Sequence, residues 1–133
     1  MHNDVSRAYF HTPAVRDVFV EIIDENREAG DEDKCGWLNV SMYGTRDAAS
    51  NCESKYQSVL TGMGFQMGKS NPCVFLHQEK DIRTVVHGDD FTSEGDIIQL
   101  MWMQRGLEEK FALKTKIMGS HPDLLKELRI LNR

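Results

Sequence analysis

Alternation and recurrence of apolar positions predict the elements of this chain. Asp17-Val18-Phe19-Val20-Glu21-Ile22-Ile23 mixes alternation with β-branched residues and predicts a strand. From Arg46 to about Met63, apolar residues recur at Ala48, Ala49, Cys52, Tyr56, Val59, Leu60 and Met63. That is a helical stripe, closed by the stop signals Gly62 and Gly64. Cys73 to His77 and Ile82 to Val86 predict two short strands around the polar turn Gln78-Glu79-Lys80-Asp81. Phe91-Thr92-Ser93 returns as the second arm of a tight turn at Gly88-Asp89-Asp90, where glycine permits the backbone angles such turns need. A helix follows from Asp96 to about Lys110, with Ile97, Leu100, Met101, Leu107 and Phe111 facing inward. Ser93 and Asp96 offer its cap, and Met101, Trp102 and Met103 read as core filler. Phe111 to Ile117 alternates as a final strand. This order predicts an α+β fold, with helices on one face of an antiparallel sheet.

At 133 residues the chain is one domain's worth, and its formal charge is −5. The charge is local. Asp24 to Asp33 holds six acids and one Arg, so the other residues are balanced. The run has no apolar periodicity and predicts an exposed acidic loop over 24–33. Cys35, Cys52 and Cys73 are odd in number and have no paired spacing. Cys73 and His77 lack a second ligand pair, which argues against zinc. Met1-His2-Asn3-Asp4 has no apolar signal core, so the expectation is a reduced intracellular protein, cytoplasmic and with no membrane partner.

Chemistry enters with the acids. Asp89-Asp90 sits at the end of the apolar run Ile82–Gly88, and Asp4 opens a second stretch far upstream. An acidic pair at a strand end plus a distant Asp is what a fold needs to hold two Mg²⁺ ions for phosphoryl transfer. The same residues also fit a solvated turn.

Several segments resemble, in order, the reverse transcriptases of copia-type retrotransposons. Asp4-Val5-Ser6-Arg7-Ala8-Tyr9-Phe10 resembles their first catalytic motif, and Leu38 to Ala49 the copia-type form of the second. Ser70 to Phe75 resembles the lead into the catalytic hairpin, Val86-His87-Gly88-Asp89-Asp90 its turn, and Glu108 to Lys114 the following helix end and strand. The resemblance covers Asp4 to about Gly119 of a partial domain spanning 1–133.

It implies an incomplete polymerase palm (α+β) and two-metal nucleotidyl transfer. Asp4, Asp89 and Asp90 would be the catalytic, metal-binding acids, with Mg²⁺ or Mn²⁺ as cofactor. The Val5 carbonyl would add an oxygen, Tyr9 would lie under the sugar, and Tyr43 and Gly44 would touch nucleotide and template. Lys114 would lie near the leaving pyrophosphate. The partners would be an RNA or DNA template-primer and deoxynucleoside triphosphates. Taken without the resemblance, Tyr9 fits a core aromatic and Lys114 a solvated strand edge. The chain departs from the pattern at His87, where a Tyr is usual, and at Ala49 and Cys52, which replace Pro and Trp. Fingers and thumb segments are expected to lie outside it. A non-enzymatic remnant binding through the acidic loop, or a small Mg²⁺-dependent phosphohydrolase, are the competing expectations.

Overall fold

The computed structural model describes residues 1–130, so the last three residues of the expected 1–133 domain lie outside it. It is a mixed α+β fold with two helices and a six-stranded antiparallel sheet. The strands are β1 (His2–Val5), β4 (Gln66–Met67), β5 (Val74–His77), β6 (Ile82–His87), β7 (Asp90–Glu94) and β8 (Leu113–Lys116), in the order β4-β5-β6-β7-β1-β8. β2 (Phe19–Glu21) and β3 (Cys35–Trp37) form a separate two-stranded ribbon. The helices are α1 (Ala48–Gly62) and α2 (Ile97–Glu108).

Alternation decides which sheet face is covered. Along β6, Ile82, Thr84 and Val86 are buried while Arg83, Val85 and His87 are exposed. Cross-strand register carries that division across the sheet, aligning Phe75, Thr84 and Ser93 in one row and Val86, Phe91 and Asn3 in the next. Both helices pack on this face. Tyr56 of α1 meets Phe75 and Phe91 edge-on, with ring centroids 6.2 and 5.9 Å apart. Met103 of α2 is fully buried, and its sulfur accepts a 3.6 Å hydrogen bond from Thr84. Leu60, Leu100, Leu107 and Phe111 complete the core. The opposite face is free of helices. Beyond β8, Met118 bridges Leu125, and Leu128 and Ile130 lie with Val74, Val85 and Thr92 around a hollow of about 460 Å³ there.

The helix ends follow local chemistry. Gly64 takes φ 93°, and the chain turns back with Gly64 N–H on the Thr61 carbonyl and Phe65 N–H on the Leu60 carbonyl. These are the two bonds of a Schellman stop. Asp96 caps α2 by accepting from Ile98 N–H at 2.9 Å. Ser93 does not share that role, because it is buried in β7 and bonded to Thr84.

Other boundaries differ from expectation. Ala49, Ile97 and Met101 point outward, since each helix buries a narrower stripe than its apolar content suggests. Asp4 stands third in β1 rather than leading a strand. Arg7, at φ 55°, turns the chain immediately afterwards into a short 3-10 segment, Ala8–His11. The strand expected over Asp17–Ile23 shortens to β2, whose register has only three pairs. The acidic loop joins β2 to β3 and is almost wholly exposed, as its composition requires.

Phe91 ties β7 to both Tyr56 and Phe111, so Phe91→Ala should remove about 3–5 kcal/mol of stability. Val15→Ala, at an exposed position, should stay within about 0.5 kcal/mol. Urea denaturation of both variants checks the contrast.

Candidate functional site

The β6–β7 hairpin closes with His87 opposite Asp90, leaving Gly88-Asp89 as a two-residue loop. Gly88 has φ 62° and Asp89 a negative φ, the pattern of a type II′ turn with glycine first. β1 pairs alongside, with Asp4 opposite Asp90 and Val5 N–H donating to the Asp89 carbonyl at 2.9 Å. The structure therefore brings Asp4, Asp89 and Asp90 together at one end of two adjoining strands. Asp4, Asp90 and His87 fall on the helix-free face, because their neighbours Asn3, Val5, Phe91 and Val86 point into the core. Lys114 is register partner to Asp4 on the other side and lies exposed on the same face.

Burial and proximity both show in the ionisation of Asp90. Burial pushes the Asp90 carboxyl up from the ordinary carboxylate range, with Asp89 and Asp4 adding repulsion. His2 opposes that rise, its Nε2 standing 3.3 Å from Asp90 Oδ1 while its Nδ1 lies 3.3 Å from the Thr92 hydroxyl. His2 was not expected at the site. The signal was available, since a residue two positions before Asp4 on a strand shares its face.

Tyr9 and Tyr43 also converge, their rings 4.4 Å apart and Phe10 edge-on to Tyr43 at 5.8 Å. Partial burial and the charge of Asp89 hold the Tyr43 hydroxyl above its ordinary pKa, which puts this cluster within electrostatic reach of the turn. Cys52 responds likewise, raised first by burial and then by Asp89. Gly44 follows Tyr43 at φ 88° in open space, a backbone that a side chain would strain. Val5 is buried, so only its backbone is available to a ligand.

Two clefts are lined by residues that neighbour the acids in sequence or register. One, of about 210 Å³, is lined by Tyr9, Cys52, Tyr56, Cys73, His87 and Gly88. The other, of about 610 Å³, is lined by Ser6, Arg7, Phe10, His11, Ala112 and Lys114. Arg7 is a second basic group that sequence reasoning passed over; it gives this cleft two cations beside Asp4. A further hollow of about 470 Å³ around Gly95, Leu100 and Ile117 lies at the far end of the strands, away from this chemistry.

The acids offer carboxylate oxygens, a donor type that suits a hard cation, and Asp89 and Asp4 both disfavour the charged form of Asp90. Among the described residues, no three His, Cys, Asp or Glu side chains are already gathered around a point that could hold a metal ion. Mg²⁺ does not require such a cage, since it binds through one or two carboxylates, water and substrate phosphates. Among the described residues, no helix is long and apolar enough to cross a membrane.

Raising Asp90 has a stability consequence. The folded state holds this proton more tightly than the unfolded state, so the contribution is present below the ordinary carboxylate range and lost as pH rises through the raised value. Ionised Asp90 is thus destabilising near neutral pH without divalent ions. Asp90→Asn should melt a few degrees higher there, and the gain should vanish in acid. Paired melting curves across that range check it; a lower neutral melting point would mean that the His2 contact outweighs burial and repulsion.

The chain matches no protein-family model and no curated protein.

Proposed function

We propose that this chain is part of the palm of a copia-type retrotransposon RNA-directed DNA polymerase, which joins a deoxynucleotide to a primer 3′-hydroxyl with loss of pyrophosphate. The observation that carries this reading is the register that sets Asp4 opposite Asp90 beside the Gly88-Asp89 turn. A polymerase palm needs its motif acids at adjoining strand ends on the face left open to a duplex. An antiparallel sheet with both helices on the other face supplies such a surface.

Asp4 and Asp89 would hold Mg²⁺ or Mn²⁺, with Asp90 beside them and the Val5 carbonyl as a further oxygen. When bound, such ions polarise the phosphate and stabilise the attacking and leaving oxygens of an in-line displacement. The protein's own contribution is positioning. His2 holds the Asp90 carboxylate, the tilted Tyr9–Tyr43 pair offers aromatic surface for a sugar and base, and Gly44 leaves backbone open to the template. Lys114 and Arg7 supply positive charge where a pyrophosphate would leave. A folded remnant without catalysis is the second reading, favoured by the absence of a gathered three-ligand group among the described residues.

Metal linkage separates the two. At ten times its dissociation constant, a divalent ion that binds only the folded chain stabilises it by about 1.4 kcal/mol, a shift of several degrees for a domain of this size. Mg²⁺ or Mn²⁺ should raise the melting temperature, and Asp89→Asn or Asp4→Asn should remove most of the rise. A flat response in the parent chain favours the remnant. Activity is the second test. Outside its acidic loop the chain is about neutral, so phosphate neutralisation is weak, and by itself it should extend no primer at physiological salt. Joined to copia-type fingers and thumb it should extend a primer on an RNA template. Extension that survives replacement of both Asp4 and Asp89 would overturn the reading.

A further inference from the structure

The β2–β3 ribbon stands apart from the main sheet and exposes apolar side chains that none of the described residues covers. Phe19 and Trp37 are register partners, so their rings leave the same face of the ribbon, and each is 61% exposed. Ile23 at 59% and Val15 at 78% extend the apolar surface at either end of β2. An isolated two-stranded ribbon is marginal in water, and both of its edges carry unpaired backbone groups. This arm gains something when a further strand adds to it.

Charge defines what that strand should be. On the aromatic face the next register pair is Glu21 with Cys35, and beyond it the chain enters the acidic loop. Arg27 lies 3.8 Å from both Glu21 and Asp24, and Lys34 lies 2.7 Å from Asp31. Glu25, Glu28, Glu32 and Asp33 take part in none of these pairs. The arm thus presents an apolar step followed by uncompensated negative charge. Alone, the acids would be a solvated loop and the aromatics a scatter of exposed rings. Side by side they make a composite surface, repellent to nucleic-acid phosphates and attractive to cations.

We infer that the β2–β3 arm is a docking surface for an extended peptide segment of a partner protein, apolar at one end and rich in Lys and Arg at the other. The apolar end adds along the ribbon over Phe19 and Trp37, and the basic end meets the loop from Asp24 to Asp33. Strand addition supplies affinity through the backbone, while the aromatic step and the acids supply selectivity. This inference is independent of the polymerase reading, since it uses none of Asp4, Asp89 or Asp90.

The test uses the whole chain and a short fluorescein-labelled peptide with an alternating Val/Thr half and a Lys/Arg half. Its fluorescence anisotropy should rise saturably at low salt. Replacing Lys/Arg by Glu, or Val by Ser, should each weaken binding by about tenfold or more. Trp37→Ser and Phe19→Ser should do the same while leaving the melting temperature nearly unchanged, because both side chains are exposed. Neutralising Glu25, Glu28, Glu32 and Asp33 to amides should remove the salt dependence. The proposal is overturned if the peptide does not bind saturably, or if the Val-to-Ser peptide and Trp37→Ser bind as well as their parents, which would mean charge attraction alone. It is also overturned if a single-stranded oligonucleotide binds with the same dependence on Trp37, or if the arm instead pairs copies of this chain, seen as Trp37-dependent dimerisation without peptide.

Discussion

The backbone ladders on either side of His2–Val5 join the β6–β7 hairpin to β8, so without β1 the sheet would fall into two parts. The same strand anchors the core from below. Asn3 is fully buried and donates to the Thr115 hydroxyl at 2.8 Å, and Val5 packs among the residues that α1 and α2 cover. His2 and Asp4 face the other way, so the strand separates core from site by alternation. Every residue gathered at the acids depends on that sorting.

The site also opposes the fold that builds it. The Gly88-Asp89 turn suits the hairpin, but three carboxylates at adjoining strand ends would be a poor choice for stability alone, and burial raises the proton affinity of Asp90 further. His2 offsets part of this. Places where local chemistry works against stability are where function is expected to sit, and here that place coincides with the residues that resemble polymerase motifs.

Much of the fold was legible because its signals are local. The Asp89-Asp90 turn announces itself by an apolar run ending in glycine, and α1 by its stripe and Gly64. What escaped prediction depends on partners distant in sequence. Three-residue β3 and two-residue β4 are too short to show a period, and are defined by their pairing with β2 and β5. The outward turn of Met101 could not be told from the inward one of Met103, as both are apolar and only packing against Thr84 distinguishes them. Around the turn, the acids were legible as a strand-end pair and one distant Asp that the register sets together. His2 and Arg7 were not, since one acts through register and the other through a left-handed backbone that its residue type does not advertise.

The central position of β1 bears on how the chain is made. His2–Val5 leaves the ribosome well before its partners, Asp90–Thr92 and Leu113–Lys116. At a synthesis rate of about 5–20 residues per second the strand waits several seconds for them, as an unpaired segment with an apolar flank. Its ladder partners have no local substitute, because both belong to strands made later. Closing the sheet therefore waits on β7 and β8, pairings of high sequence separation that are slow to form.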